Sequence, residues 1–314
     1  MSASDHKVLV TGGTGFIGRH LVARLLADGT AVTALVRFGS VVPAEWQGKV
    51  TVVRCDDWSE QGIRTALNGY GFDAVFPLAA YGVRPDDRDV GRMVQINVDL
   101  PAVLVRLCSE WGARFVMAGT FSEYIKPLSN DPLTEGSRLE PFKLYGSTKA
   151  AGGLVASCVA REFGVGLRLL RLFKGYGAGE PPHRLLPALV SGLSRKQRVA
   201  ISSGTQILDF VYIDDIIESL VRAERHIRSS GGVTTWNVAT GRGHSVRDFA
   251  RMVADVMEAD HDLLGFGEVS MRKDDEPWLV GDPRLMREEL GWSPQADLQL
   301  GIKAAIAAMS LETH

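Results

Sequence analysis

The stretch Lys7-Val-Leu-Val-Thr-Gly-Gly-Thr-Gly-Phe-Ile-Gly18, with the helical pattern that follows it to Asp28, decides the fold. Its first five residues are an apolar, β-branched run that reads as a buried strand. Leu21, Val22, Leu25 and Leu26 then recur at helical spacing, and Gly29 ends the helix. Between strand and helix stand Gly12, Gly15 and Gly18. Glycines so placed permit a tight turn, close approach of the backbone to a pyrophosphate, and close packing of helix on strand. The phosphates sit at the helix N-terminus, where backbone N–H groups are unpaired. The pattern alone is weak, but at the first strand–helix junction it predicts a dinucleotide site.

Further strands are expected at Ala31–Val36, Val50–Arg54, Ala74–Leu78, Arg114–Ala118 and Gly166–Leu172. The longest helices between them are expected at about Val94–Glu110 and Tyr145–Glu162. Six strands alternating with helices predict an α/β chain with a doubly wound parallel sheet, a Rossmann fold. After about residue 174 the rhythm loosens. A helix is expected at Arg184–Leu193, a strand at Gln206–Tyr212, and helices at Asp214–Ile227 and Ser245–Met257. The expected division is a nucleotide-binding domain over residues 1–174 and a smaller C-terminal substrate-binding lobe over 175–314, with some segments returning to the first.

The chain has 314 residues, enough for one large unit or a core with an elaboration. With 35 Lys+Arg against 37 Asp+Glu the formal charge is −2, which argues against nucleic acid or an anionic membrane surface as partner. Three scattered cysteines, Cys55, Cys108 and Cys158, form neither a disulfide framework nor a metal cluster. No stretch approaches the roughly 20 apolar residues of a membrane span, and the first residues hold no apolar signal core. The expectation is a cytoplasmic chain without a metal.

The end of the second expected strand, Ala34-Leu-Val-Arg37, lacks the acid that commonly holds the ribose 2′-OH of NAD. Arg37, helped by Arg19, suits a 2′-phosphate, which favours NADP(H) and leaves NAD admissible. Asp56-Asp57 reads either as an adenine neighbour or as the N-cap of a helix over Ser59–Asn68.

Tyr145-Gly-Ser-Thr-Lys149 puts a phenol and an ammonium on one helix face. An adjacent cation favours the phenolate, so Tyr145 can exchange a proton with a substrate hydroxyl or carbonyl. Together with the glycine loop and Gly119-Thr-Phe-Ser-Glu-Tyr124, this motif resembles the extended short-chain dehydrogenase/reductase family, in its nucleotide-sugar branch. The resemblance runs from about Lys7 to the last helix.

That resemblance implies Thr120, Tyr145 and Lys149 as the catalytic set. It implies a cofactor held by Gly12, Gly15, Phe16, Ile17, Gly18, Arg37, Asp56, Asp57, Leu78, Ala79, Ala80, Asn97 and Phe173, together with Tyr145 and Lys149. For a nucleoside-diphosphate sugar it implies Tyr81, Thr120, Phe121, Ser122, Lys174, Arg184, Arg272 and Asp275. Two positions depart from the family's pattern: Lys174 stands in place of an asparagine, and Leu208 in place of the arginine that grips the diphosphate. The family's 4,6-dehydratases carry an Asp-Glu pair after the threonine. Here that place holds Phe121-Ser122, and Glu123 is displaced by one residue. The implied reaction is NADPH-dependent reduction of a 4-keto-6-deoxyhexose. A 4-epimerase is the alternative, with a dehydratase, a non-catalytic regulator and a reductase of small ketones behind it. The two long helices resemble those that pair in the family's homodimers.

Overall fold

The computed structural model describes residues 6–84, 86–126, 129–271 and 277–311. In chain order the first half runs β1 (Lys7–Thr11), α1 (Phe16–Ala27), β2 (Ala31–Val36), β3 (Val50–Arg54), α2 (Glu60–Ala66), β4 (Ala74–Pro77), α3 (Val90–Val94), α4 (Leu100–Trp111), β5 (Arg114–Thr120) and α5 (Leu144–Glu162). The second runs β6 (Leu167–Leu172), β7 (Lys174–Tyr176), α6 (Leu185–Ser194), β8 (Val199–Ile201), β9 (Ile207–Leu208), β10 (Phe210–Tyr212), α7 (Ile213–Ser230), β11 (Val233–Val238), β12 (His244–Ser245), α8 (Val246–Val256), β13 (Leu264–Phe266), β14 (Trp278–Leu279), α9 (Arg284–Leu290) and α10 (Leu298–Leu311).

A central sheet in the order β11-β6-β5-β4-β1-β2-β3 places β1 between β2 and β4, paired parallel with both. This is the Rossmann arrangement, and it corrects the expected six strands to seven. The added strand, Val233-Thr-Thr-Trp-Asn-Val238, stands at the sheet edge. It is tied to β6 by Arg168, whose guanidinium donates to the carbonyls of Gly231 and Gly232 at 2.8 and 2.9 Å and lies over the Trp236 ring.

By contacts the chain divides into two compact units: Met1–Ile125 with Arg138–Arg171 and Ile217–Trp236, and Lys126–Ser137 with Leu172–Ile216 and Asn237–His314. The single cut expected at residue 174 is thus replaced by an interleaved division, for identifiable reasons. Residues 217–236 join the first unit because α7 is ion-paired within it: Arg24 with Glu218 at 2.8 Å, and Arg114 with Glu224 at 2.5 Å. Residues 126–137 join the second because Leu133 exchanges backbone hydrogen bonds with Val280 and Asp282, both at 2.8 Å. The first unit's core gathers Leu9, Leu35, Leu104, Phe115 and Leu167. The second unit's core gathers Leu189, Phe210, Phe249 and Ile302.

Two expected elements are broken. The long helix from Val94 is interrupted by a wide π turn over Gln95–Asp99. Pro101 supplies no N–H to the carbonyl of Asn97, so the ladder widens there. The strand expected over Gln206–Tyr212 splits at Asp209 into β9, paired with β12 and β14, and β10, paired with β7.

Candidate active site

In the glycine loop, Gly12 has φ +67°, and a Cβ there would overlap the backbone of Leu78 and Ala79. A Cβ on Gly18 would overlap the Gly12 carbonyl. The loop is therefore closed against β4's exit by backbone alone, and the Thr11 hydroxyl accepts from the Ala79 N–H at 3.2 Å. Gly15 caps α1 with no side-chain hydrogen bond, and no acid stands in the first turn. The first N–H groups of α1, opened by half-buried Phe16 and Ile17, are left to a ligand oxygen. This is a cradle that fits a pyrophosphate. Leu78, Ala79 and exposed Ala80 form its facing edge.

Arg37 and Arg19 are exposed. The turn after β2 is stiffened by Arg54, whose guanidinium donates to the Phe38 carbonyl at 2.5 Å, and by Asp56, which accepts from the Phe38 N–H at 3.0 Å. The Ser59 hydroxyl, and after it the Ser59 N–H that donates at 2.9 Å, hold the Asp57 carboxyl below the usual range, while the same hydroxyl oxygen caps α2 by accepting from the Gly62 N–H. The N-cap is thus Ser59 and not the Asp pair.

The catalytic candidates come together where β5 ends and α5 begins. A Cβ on Gly146 would overlap the Ser122 carbonyl, so the helix carrying Tyr145 lies directly on the turn carrying Thr120, Phe121 and Ser122. Thr120 is 7 % exposed, and its hydroxyl oxygen accepts from the Ser122 N–H at 3.2 Å, which leaves the hydroxyl hydrogen to donate. Tyr145 is half-buried. Lys149 is buried, and burial lowers its pKa while the Glu123 charge opposes that shift.

Asn97, expected at the cofactor, is fully buried and spends its amide on the protein. Its Oδ1 accepts from the Tyr81 N–H at 3.0 Å, and its Nδ2 donates to the Tyr81 carbonyl at 2.8 Å and to Thr148 at 2.9 Å. It therefore ties Tyr81 to α5. The Tyr81 ring lies under the Arg92 guanidinium.

Phe173 belongs to the second unit. Its ring is buried, and a Cβ on Gly281 would come within 2.5 Å of it, so it packs as core. Lys174 and Arg184 both act electrostatically on Glu180, whose carboxyl burial pushes up and the Gly177 N–H steadies at 3.1 Å. Leu208, where an arginine was expected, pairs with His244 and Leu279 between two strands. Asp209 accepts from the Thr240, Gly241 and Gly281 N–H groups and from the Thr240 hydroxyl, although burial raises its carboxyl to about 6. Arg272 and Asp275 lie outside the described residues.

Glu123, Arg171 and Glu180 were not singled out by sequence reasoning as site residues. A charged residue in a run of buried strand, as Arg171 is in β6, was the signal that could have found one of them.

The sequence profile described as "NAD dependent epimerase/dehydratase family" matches residues 8–239. The chain belongs to that family. Over 96 % of its length it is 28 % identical to a UDP-glucose 4-epimerase of Azospirillum brasilense, covering 91 % of that protein. Over 97 % it is 26 % identical to a dTDP-6-deoxy-L-talose 4-dehydrogenase (NAD(P)(+)) of Kitasatospora kifunensis, covering 96 %. The structure of a Thermotoga maritima UDP-glucose 4-epimerase with UDP-glucose matches with a TM-score of 0.89 at 24 % identity, covering 98 % of this chain and all of that one. At that identity the match is a likeness of fold. The family's central chemistry needs a proton donor–acceptor beside a dinucleotide, and Tyr145 and the glycine cradle belong to one compact unit.

Proposed function

We propose that the protein reduces the 4-keto group of a nucleoside-diphosphate-4-keto-6-deoxyhexose with NADPH. The observation that supports the chemistry is the packing of Gly146 on Ser122, which brings the helix carrying Tyr145 onto the turn carrying Thr120. Bound at the glycine cradle, the nicotinamide supplies the hydride. Thr120 donates its hydroxyl hydrogen to the substrate oxygen, and Tyr145 gives that oxygen a proton from its phenol. Lys149, one turn on, stabilises the phenolate that Tyr145 becomes when it gives up the proton, and holds the cofactor's ribose. Lys174, Arg184, Arg272 and Asp275 are assigned to the sugar nucleotide's anionic part, in place of the arginine replaced by Leu208.

Glu123 speaks against dehydration. It is wholly buried and ion-paired with Arg171 at 2.8 Å, so its carboxylate is not an acid for a substrate hydroxyl. Arg37, with no carboxylate at the end of β2, favours the 2′-phosphate of NADP and hence net reduction. The Kitasatospora relative's printed NAD(P)(+) admits either cofactor. The Azospirillum relative's printed 4-epimerase activity supports a second reading, NAD-dependent 4-epimerisation through the same residues. Exposed Leu144, Leu154 and Phe163, on or just after α5, support a homodimer.

The test is incubation with NADPH or NADH and a panel of nucleoside-diphosphate-4-keto-6-deoxyhexoses and hexoses. Net loss of reduced cofactor supports the reductase; isomerised sugar without net loss supports the epimerase. Tyr145→Phe abolishes either activity, and a Tyr145→Phe protein at wild-type rate would overturn both.

A further inference from the structure

Glu123 has no place in the mechanism above, yet it is the most enclosed carboxylate beside it. It is 0 % exposed in the turn between β5 and α5. One carboxylate oxygen accepts from the Thr120 N–H at 2.8 Å, and the other from the Arg171 Nε at 2.8 Å. Thr120 and Glu123 thereby close a reciprocal capping box, in which the Thr120 hydroxyl oxygen is engaged by the Ser122 N–H. Arg171 is held in turn by the Tyr124 hydroxyl at 3.1 Å and lies over the Tyr124 ring. The chain also makes room for this carboxylate: a Cβ on Gly119 would come within 2.6 Å of Glu123 Oε1. The α5 helix lies on this turn, since a Cβ on Gly146 would overlap the carbonyl of Ser122 next to Glu123, and the Glu123 charge opposes the fall that burial imposes on the Lys149 pKa.

We propose that Glu123 is a positioning residue for the Tyr145 chemistry: it fixes which way the Thr120 hydroxyl presents its hydrogen, and it supplies the buried negative charge against which Lys149 keeps its ammonium. A loop cap alone needs neither a buried ion pair nor a glycine cleared for the carboxylate. A carboxylate shared between a capped threonine and two cations links hydroxyl orientation to ammonium charge. The charged and titratable groups facing it are Arg171 from β6, Tyr124 from its own turn and Lys149 from α5. The inference rests on the reading of Thr120, Tyr145 and Lys149 as the catalytic set.

The experiment compares wild type, Glu123→Gln, Glu123→Asp and Tyr145→Phe in the same C4 assay, with kcat and KM measured across pH and melting temperature recorded. Glu123→Gln keeps the shape and an acceptor for Thr120 but removes the charge. Its kcat falls about tenfold with KM within about twofold, and the alkaline limb of the kcat profile moves to lower pH by about one unit, because the desolvated ammonium has lost its counter-charge. Glu123→Asp keeps the charge but withdraws it from Thr120, so kcat falls while the alkaline limb stays in place. A folded Glu123→Gln with unchanged kcat and limb overturns the inference. If that variant does not fold, Glu123→Asp at wild-type kcat overturns it. Should Tyr145→Phe retain the rate, the functional reading itself fails, which is a distinguishable outcome.

Discussion

Lys149 pays a desolvation cost that only function explains. Burial holds its pKa below the ordinary lysine value of 10.5, so the folded chain releases this proton before the unfolded chain does. Stability from this group therefore rises as pH is raised between the two values, and the increment is absent from a variant without the ammonium. Lys149→Met is expected to lower kcat about a hundredfold without lowering the melting temperature at neutral pH. Its stability, followed by urea unfolding from neutral to alkaline pH, is expected to lose the wild type's rise. Tyr145 and Lys149 were legible in the sequence because i and i+4 on a helix share a face without any tertiary knowledge. Glu123 was not: it stands three residues after Thr120, displaced by one from the place of the dehydratases' Asp-Glu pair, and nothing local names its partner until Arg171, 48 residues away, is seen to hold it.

The α5 helix is positioned by glycines whose side-chain absence is used sterically. A Cβ on Gly152 would overlap the Asn97 carbonyl, at the place where Pro101 widens the preceding helix into a π turn. In an exposed helix glycine-to-alanine gains about 1 kcal/mol of propensity. Here Gly152→Ala is expected to lower stability by about 2 kcal/mol or more, since two backbones must part. Chemical denaturation measures the sign directly, and a stabilised variant would contradict the packing. The expected helix over Val94–Glu110 ran through this turn because periodicity carries no record of a missing N–H donor's effect on ladder spacing. The strand expected over Gln206–Tyr212 likewise concealed Asp209, which draws four donors from residues 240, 241 and 281 and so divides the strand.

For the molecule as a whole, ligand linkage separates the cofactors. A dinucleotide at a hundred times its Kd stabilises the folded chain by about 2.7 kcal/mol. At matched concentrations NADP+ is expected to raise the melting temperature more than NAD+, and Arg37→Ala to remove the difference; equal shifts in wild type would favour the epimerase reading. Leu154 is 57 % exposed on α5, and Leu154→Glu is expected to convert a dimer to monomers in sedimentation velocity. The sequence by itself determined the first βα unit, the parallel order of the early strands, the glycine loop and the placing of Tyr145 and Lys149 on one helix face. Each of these rests on local pattern: a short apolar run, period 3.6, or a motif within one turn; the place of Thr120 beside Tyr145 came from the resemblance to a known family. Only the tertiary structure decided the seventh strand, the exchange of residues 126–137 and 217–236 between units, the hydrogen bonds that engage the Asn97 amide, the packing of Phe173 on Gly281, and the burial of Glu123. Those depend on hydrogen bonds, ion pairs and backbone approaches between residues far apart in the chain, and no local pattern encodes which distant donor, cation or carbonyl a side chain will meet.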